Sequence, residues 1–257
     1  MNKYNKIADI NSEEKFSVSI VLPLYNEYQS LVTLFEEIEK FYYKKKFEVE
    51  FIIVNDGSND GSLILLQKLT NEKKNKGLNI KIISYPNNQG KGFALKKGVL
   101  ASTKEWILTT DVDLSVSFDQ LTEWFKVHIL KDKNYAYFGS RELKNSNVVG
   151  KKYRIVIGQI FNFFVRYILG NNITNIKDTQ CGFKLYNRLY AKKIFNLLNE
   201  KGFVHDVEIL ILLYLNNIKI TELPIKWIHR RGSSVNIIKD SISMFFALIK
   251  LKIKYKI

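Results

Sequence analysis

Two aspartates at a spacing of two, Asp111 and Asp113, are the side chains with the clearest capacity for chemistry. They follow the apolar run WILTT, which is typical of a β-strand, and in an extended backbone this spacing points both side chains to one side. Mg²⁺ and Mn²⁺ favour oxygen ligands, and Mg²⁺ is usually held by one or two carboxylates together with substrate phosphates. The pair therefore predicts half of a Mg²⁺ or Mn²⁺ site that a diphosphate would complete. The alternative is two solvated loop carboxylates.

Polar residues follow other apolar runs as well. The segment PLYNE contains Pro23, Tyr25 and Glu27, and the Tyr25 ring could stack on a base. Asp56 in VNDGS could accept hydrogen bonds from a ribose hydroxyl or a base N–H, although Asp-Gly is also an ordinary turn. Lys91 lies between two glycines, but the motif GxxxxGK[ST] is absent and no GxGxxG follows the first run. ATP-type phosphate loops and NAD binding are therefore disfavoured.

The elements that must position these residues are short, β-branched and apolar. They lie at 16–22, 49–54, 80–85 and 106–110, separated by helix-like stretches. Strands without polar alternation, joined by crossover helices, indicate an α/β fold with a doubly wound, mostly parallel sheet. Ligands bind beyond the carboxyl ends of such strands, so the polar segments are expected to meet in one pocket.

The charge of the chain is localised. Of the 257 residues, 40 are basic and 25 acidic, giving a net charge of +15, and the stretches 141–170 and 226–257 carry +12 of it. This clustering favours a local anionic partner, phosphate or membrane lipid, over a uniformly basic nucleic-acid binder. We therefore expect no nucleic-acid partner. A basic nucleic-acid-binding module is the alternative from another functional class, and it would show affinity that falls steeply with salt.

A helix is predicted within 151–170, where polar residues form one narrow stripe on an otherwise apolar surface: Lys152, Gln159, Asn162 and Arg166. Such a helix either packs in a core or lies on a bilayer, and the flanking basic residues favour the bilayer. Further along, strands are predicted at 135–140 and 218–227 and a helix at 207–215. From Lys250 the tail alternates lysine and apolar residues, which is a strand period, although lysines can also snorkel from an interfacial helix.

We expect an N-terminal extension over 1–15, one catalytic domain over 16–240 and a basic amphipathic tail over 241–257. The single cysteine, Cys181, excludes an intramolecular disulfide and a Cys-based zinc cage. The start of the chain carries no secretion signal, and no segment is long and apolar enough to span a bilayer. These features predict a peripheral or monotopic protein on the cytoplasmic face of a membrane.

A series of segments follows in a fixed order along the chain: PLYNE, VNDGS, NNQGKGFALKKG, DVD, GSR, DTQCGFKLY and DVEIL. This order resembles family-2 inverting glycosyltransferases of GT-A fold, and within them the group of dolichyl-phosphate β-glucosyltransferases and dolichol-phosphate mannose synthases. The resemblance covers roughly residues 16–240. Its most specific segment, DTQCGFK, leans toward the glucosyl branch.

For the donor, the resemblance implies a nucleotide-diphosphate sugar, with UDP-glucose as the first choice. Asp111 and Asp113 would form the metal-binding motif. The other donor-binding residues would be Pro23, Tyr25, Glu27, Asp56 and Lys91. The family's C-terminal loop usually reads Gly-Ser-Lys, whereas this chain reads Gly-Ser-Ser at 232–234. Arg230 or Arg231 would then supply the missing charge to the diphosphate.

For the acceptor, the resemblance implies that Arg141 meets a phosphate, that Gln180 and Lys184 line the sugar or acceptor pocket, and that Asp206 lies near the reaction centre. A phosphate monoester has a second pKa of about 6, so a lipid phosphate attacks without a general base, whereas a sugar hydroxyl needs one.

The sequence thus predicts a membrane-associated hexosyltransferase that moves glucose from UDP-glucose onto a polyprenyl phosphate of the dolichyl or undecaprenyl type. The rival hypotheses within this fold are GDP-mannose as donor or a saccharide hydroxyl as acceptor. An inactive scaffold of the same fold is a further alternative.

Overall fold

The computed structural model describes residues 16–45, 47–126, 136–150, 152–170, 176–202, 204–230 and 237–257. The strands are β1 Ser17–Leu24, β2 Glu48–Asp56, β3 Ile80–Tyr85, β4 Trp106–Thr109, β5 Ala136–Ser140, β6 Asn147–Val149, β7 Lys184–Asn187, β8 Ile220–Pro224 and β9 Lys226–Ile228. The α-helices are α1 Leu31–Lys44, α2 Ser62–Lys74, α3 Lys91–Ala101, α4 Asp119–Lys126, α5 Lys152–Leu169, α6 Arg188–Leu197, α7 His205–Leu215 and α8 Ile237–Tyr255. The predicted extension over 1–15 lies outside the described residues.

The central sheet has the strand order β3-β2-β1-β4-β7-β5-β8. Strands β3, β2, β1 and β4 are parallel, β7 runs antiparallel to both neighbours, and β5 pairs in parallel with β8. The predicted α/β, doubly wound, mostly parallel sheet is therefore confirmed. The carboxyl ends of β1, β2 and β4 meet at one edge, where Pro23 pairs with Val54 and Val21 with Thr109.

Both faces of this sheet are buried, because neighbouring residues of each strand point to opposite sides. In β1, Ile20 and Leu22 join the cluster that contains Leu34 of α1, whereas Val21 joins the cluster that contains Val54 and the apolar residues of α3 and α6. This two-sided burial accounts for apolar runs without polar alternation in the sequence.

The predicted strand over 218–227 is divided in the structure. Its first part is β8 in the central sheet, and its last part is β9, which pairs with β6 in a separate two-stranded sheet. Arg230, two residues after the end of β9, lines a cavity together with residues that follow β1 and β4.

The C-terminal tail is helical, so a strand there, as the alternation from Lys250 suggested, is wrong. Helix α8 buries Leu248 and Leu251 in a cluster with Val165 and Leu169 of α5, and Tyr255 packs against the same cluster. These spacings of three and four place the buried side chains on one helical face. The predicted domain boundary at 240/241 falls inside this helix.

Helix α5 is confirmed, and it packs one side against the domain and exposes aromatic rings on the other. Asn162 is only 1% exposed and faces the domain, whereas Phe163 is 57% and Tyr167 is 78% exposed. Val165 and Leu169 are also buried, so the inner side is mostly apolar and the exposed aromatic rings lie on the outer side. In the part of the chain that the structure describes, no helix has the length and apolar character needed to cross a bilayer.

Gly98 makes the contact between α3 and β1 possible, because a Cβ at this position would overlap the Cγ1 atom of Val21. We expect Gly98→Ala to lower the free energy of unfolding by about 1–3 kcal/mol, the usual cost of overpacking. The matched control is Gly158→Ala in α5, where a Cβ meets nothing within 4 Å. That control should be neutral or slightly stabilising. Denaturant unfolding of both variants measures the difference, and equal stability would contradict this account of the packing.

Candidate active site

The tips that follow β1 and β2 are bonded to each other. The backbone N–H of Asn26, which has a φ of 54°, donates to Ser58 Oγ at 3.0 Å, and the N–H of Asn59 donates to Asn26 Oδ1 at 2.9 Å. The N–H of Glu27 donates to Ser62 Oγ at 3.1 Å. These bonds fix the PLYNE segment, with Tyr25 exposed at its end.

Asp56 holds the loop after β3 against the end of β2. Its Oδ1 accepts from the N–H of Gln89 at 2.7 Å, and its Oδ2 accepts from the N–H of Gly90 at 2.8 Å and from Asn88 Nδ2 at 2.9 Å. The residue is only 2% exposed. Asp56 therefore positions the segment that leads into Lys91, and donor contact by Asp56 itself stays a prediction.

The DVD segment is a turn, so the expected extended backbone at Asp111 and Asp113 is wrong. Leu114, with a φ of 55°, donates its N–H to the carbonyl of Asp111 at 3.3 Å and closes this turn. Asp113 Oδ1 and Oδ2 accept from the backbone N–H and the hydroxyl of Ser115 at 2.9 and 2.8 Å. The turn still keeps the two carboxylates close enough to repel each other.

Lys91 neutralises part of this acidic edge. Its Nζ lies 2.6 Å from Asp111 Oδ1. Burial works against the charged lysine, but Asp111, Asp206 and Asp113 together raise the pKa of Lys91 above its ordinary value. Gly182 approaches from the other side, where a Cβ would lie 2.5 Å from Asp111 Oδ2. The DTQCG segment thus packs directly against the DVD turn.

The chemistry of Asp111 and Asp113 fits a divalent cation that would also take ligands from the substrate. Burial and the charge of Asp111 raise the pKa of Asp113. A cation would relieve this repulsion. Among the residues that the structure describes, no group of three His, Cys, Asp or Glu side chains is arranged to hold a metal ion. Metal binding by Asp111 and Asp113 therefore stays a prediction, in which the two carboxylates would be ligands and a substrate diphosphate would supply others.

A cavity of about 710 Å³ opens between the β1 tip and the DVD turn. Glu27, Asp113 and Arg230 line it, together with residues that the sequence did not single out: Tyr28, Thr33, Glu37 and Asp60. Burial and the charges of Asp113, Asp111 and Asp60 raise the pKa of Glu27, although its bond from Ser30 opposes this. The cavity is therefore mainly acidic, and Arg230 contributes a positive charge to its lining.

Arg141, at the end of β5, is fixed by a buried carboxylate. Its Nε and Nη2 donate to Asp178 Oδ2 and Oδ1 at 2.7 and 2.8 Å, and its backbone N–H donates to Oδ2 at 2.9 Å. The guanidinium carbon lies 5.8 Å from the centroid of the Trp227 ring. The side chain keeps 27% exposure. Because Asp178 takes two of the five N–H donors of a guanidinium, the exposed part can serve an anion.

Lys184 and Asp206 form an ion pair beneath the site. Lys184 is 1% exposed, and its Nζ also donates to the carbonyl of Thr179 at 3.2 Å. Burial works against ionised Asp206, but His205, Lys184 and Lys91 hold the pKa of this carboxyl below its ordinary value. Burial lowers the pKa of His205, although the charge of Asp206 opposes this shift. Lys184 thus positions other groups, and its predicted contact with a substrate stays a prediction.

The structure brings most of the predicted site residues to one edge of the sheet. Lys91 and Asp111 contact each other there, and Glu27, Asp113 and Arg230 line the same cavity. Tyr25 and Pro23 lie at the same edge, and Gln180 lies in the segment that fixes Arg141, where its N–H donates to Asp178 Oδ1 at 3.2 Å. Arg231 lies outside the described residues.

Sequence reasoning missed the residues that hold this site from beneath, of which Asp178 is the clearest. It begins the DTQCGFK segment, and nothing in the sequence around it indicates its partner Arg141, which lies 37 residues earlier in the chain. Gly182, in the same segment, offered a detectable signal, because a glycine inside a specific motif often marks a close approach.

Comparison with known proteins agrees with this geometry. A family described as "Glycosyl transferase family 2" matches residues 19–195. The chain belongs to glycosyl transferase family 2. Among curated relatives in this family, the "Dolichyl-phosphate beta-glucosyltransferase" of Dictyostelium discoideum is 32% identical, with 97% of this chain and 78% of the relative covered. The protein of the same name from Saccharomyces cerevisiae is 33% identical, with 95% of this chain and 76% of the relative covered.

Solved structures confirm the GT-A fold for this family-2 chain. Glucosyl-3-phosphoglycerate synthase from Mycobacterium tuberculosis, in complex with Mn²⁺, UDP and glucosyl-3-phosphoglycerate, matches with a TM-score of 0.67 at 14% identity, covering 93% of this chain and 80% of that one. Mannosyl-3-phosphoglycerate synthase from Rubrobacter xylanophilus matches with a TM-score of 0.65 at 16% identity, covering 93% and 73%. At these identities the likeness establishes the fold alone.

The Arg141–Asp178 pair gives a pH-dependent prediction. Burial opposes ionised Asp178, but Arg141 overcomes it and lowers the pKa of Asp178. The pair therefore stabilises the fold above the unfolded Asp pKa, near 4, and loses this effect as the pH falls through the lower folded pKa. We expect Asp178→Asn to cost about 3 kcal/mol at pH 7, the lower end for an uncompensated partner, since Arg141 stays partly exposed.

The measurement is denaturant unfolding of wild type and Asp178→Asn between pH 3 and pH 8. The difference in free energy of unfolding should be largest at neutral pH and should shrink below about pH 4. Asp119→Asn is the matched control, because that carboxylate forms an exposed ion pair with Lys44 and should change stability little. A difference that is constant across this pH range would contradict the assignment.

Proposed function

We propose that this protein transfers glucose from UDP-glucose to a polyprenyl phosphate of the dolichyl type, with inversion at the sugar, at a membrane surface. The observation that carries the proposal is the 32% identity over 97% of the chain to a dolichyl-phosphate beta-glucosyltransferase. The geometry supports it, because one sheet edge presents carboxylates for a cation, a lysine and an arginine beside them, and a second arginine fixed by Asp178.

The donor diphosphate would lie at the DVD turn. Asp111 and Asp113 would hold Mg²⁺ or Mn²⁺, which when bound neutralises charge on the departing diphosphate. Lys91 and Arg230 would add positive charge that requires no proton transfer. The nucleotide would lie along the β1 tip, where Tyr25 is exposed and Glu27 lines the cavity.

The acceptor phosphate would be bound by Arg141. An oxygen of the acceptor phosphate attacks the anomeric carbon of the sugar. A new C–O bond forms, and the bond from that carbon to the diphosphate breaks to release UDP. Since a phosphate monoester is largely dianionic at neutral pH, this oxygen needs no general base. Asp178 keeps the guanidinium oriented, so Arg141 pays less conformational entropy when it binds the phosphate.

The state of Asp206 favours a phosphate over a saccharide hydroxyl as acceptor. A hydroxyl needs a base that takes up its proton, and such a base works best with a pKa near the working pH. Asp206 is nearly buried and ion-paired with Lys184, and its pKa is lowered. A carboxylate held in this way is a weak base, so its proposed role is to orient Lys184 and Lys91.

The outward face of α5 and α8 supports a membrane surface as partner. On α5, the exposed apolar side chains are Val156, Ile160, Phe163, Phe164 and Tyr167. On α8 they are Phe245, Phe246, Ile249 and Ile253. The rings of Phe164 and Phe245 lie 5.8 Å apart, so the two helices form one continuous apolar face. An apolar face on helices rich in basic residues suits the interface of an anionic bilayer, and the cytoplasmic leaflet stays our prediction.

The experiment that tests the function incubates the full-length protein with membranes, Mn²⁺ and separately labelled UDP-glucose, UDP-galactose or GDP-mannose. We expect label from UDP-glucose in the organic phase. Asp113→Ala should reduce turnover at least about a hundredfold, the usual loss when a major electrostatic contribution is removed. Arg141→Ala should mainly raise the KM for the lipid phosphate. Label from GDP-mannose, or label retained in water-soluble saccharide, would replace the proposal with one of its rivals.

Membrane docking has a separate test. We expect Phe163→Ser/Tyr167→Ser to lower partitioning onto vesicles containing anionic lipid by about tenfold or more, because two exposed aromatic side chains no longer enter the interface. The matched control is Ile64→Ser/Leu189→Ser, which changes side chains that are 75% and 74% exposed on α2 and α6. Vesicle sedimentation gives the partitioning. Equal loss in both double variants would show that this apolar face is not the docking face.

A further inference from the structure

Glu208 of α7 connects the end of α8 to a loop of the domain. Its side chain is fully buried, at 0% exposure. One oxygen, Oε1, accepts from Lys254 Nζ at 2.7 Å and from the hydroxyl of Tyr255 at 2.6 Å. The other, Oε2, accepts from the backbone N–H of Asn199 at 2.9 Å and of Glu200 at 2.6 Å.

The loop over 199–202 in turn contacts the start of α3. The backbone N–H of Gly92 donates to the carbonyl of Lys201 at 2.7 Å. A Cβ at Gly90 would overlap the same carbonyl oxygen, and a Cβ at Gly92 would overlap the carbonyl oxygen of Glu200. Lys91 lies between these glycines, so the loop fixes the backbone that carries the Lys91 side chain.

We propose that Glu208 is a positioning residue for donor binding, which couples the last turn of α8 through the 199–202 loop to Lys91 and its ion pair with Asp111. The inference rests on the proposed donor role of Lys91. It deepens that function by adding a residue that touches neither substrate nor cation.

The chemistry of Glu208 explains why a carboxylate is used here. A buried charge is costly unless it is fully hydrogen-bonded, whereas an apolar side chain would fill the same space without this cost. Charge-assisted hydrogen bonds are shorter and more directional than apolar contacts, so they fix the relative positions of the groups they join. Burial opposes the charge, but Lys254, Tyr255 and the two backbone N–H groups hold the pKa of Glu208 below its ordinary value.

A purely structural anchor makes a different prediction from a positioning residue. Disrupting an anchor lowers the fraction of folded protein, so the apparent kcat falls together with the stability, and the affinity of the folded protein for the donor does not change. A positioning residue changes the affinity of the folded protein for the donor diphosphate, and it does so through Lys91.

The test uses the full-length protein and the double variant Lys254→Met/Tyr255→Phe, which removes both donors on α8 and leaves Glu208 in place. The matched control is Lys252→Met/Tyr214→Phe, since Lys252 is exposed on the same helix and Tyr214 is 42% exposed on α7. The readouts are the affinity for UDP with Mn²⁺, the donor and acceptor KM values and the unfolding temperature. We expect UDP affinity and donor KM to worsen by about five- to tenfold, typical of lost hydrogen bonds to a charged group, with acceptor KM unchanged.

A double-mutant cycle with Lys91→Met identifies the route. If Glu208 acts through Lys91, Lys254→Met/Tyr255→Phe should add little further loss of UDP affinity in the Lys91→Met background. Lys254→Arg, which keeps a cationic donor, should retain most of the wild-type affinity. Full additivity, unchanged UDP affinity, or a kcat loss that follows unfolding temperature at constant KM would each overturn the proposal.

Failure of the proposed function can be told apart from failure of this inference. If the wild-type protein binds UDP but forms no lipid-linked product, the proposed acceptor is overturned. The double-mutant cycle with Lys91→Met then still tests the role of Glu208. Absence of UDP binding by the wild-type protein would overturn both.

Discussion

The ion pair between Lys91 and Asp111 is the interaction on which the rest of the site depends. A parallel sheet directs its polar strand ends to one edge, and in this chain those ends carry acidic side chains. Burial and mutual repulsion raise the pKa of both Glu27 and Asp113. Without a cation nearby, this edge would oppose a diphosphate. Lys91 reduces that opposition. The glycines on either side of it allow the 199–202 loop to approach closely, and Gly182 allows the DTQCG segment to approach Asp111.

Pairing of a basic side chain with a carboxylate recurs at two other positions near the site. Arg141 is held by Asp178, and Lys184 is paired with Asp206, so that a side chain near the site has a countercharge beneath it. Removing one partner of such a pair is costly, but the pair as a whole adds little stability over apolar residues of similar size, because desolvation offsets its attraction. Their effect is geometric: each pair fixes an orientation before a ligand arrives, which reduces the entropy lost on binding.

Helix α5 connects this geometry to the outer surface. Asn162, on its inner side, accepts from the backbone N–H and the hydroxyl of Thr179 at 3.2 and 2.7 Å and donates to Glu142 at 2.6 Å. Thr179 follows Asp178 directly, so the helix with the exposed aromatic face is bonded to the segment that orients Arg141. The inner side of α5 also buries apolar residues, so the helix packs against the domain on one side and exposes aromatic rings on the other.

The sequence by itself determined the α/β class with its first four parallel strands, the family and the position of the acidic pair, because apolar runs and strand-end motifs are local signals. Only the tertiary structure decided that the tail from Lys250 is a helix, that DVD is a turn, and which partners hold Arg141 and Lys184. Those outcomes depend on contacts between residues far apart in the chain. A helix or strand period in a short segment cannot reveal whether a buried neighbour, such as the α5 face beneath Leu251, is there to select one of them.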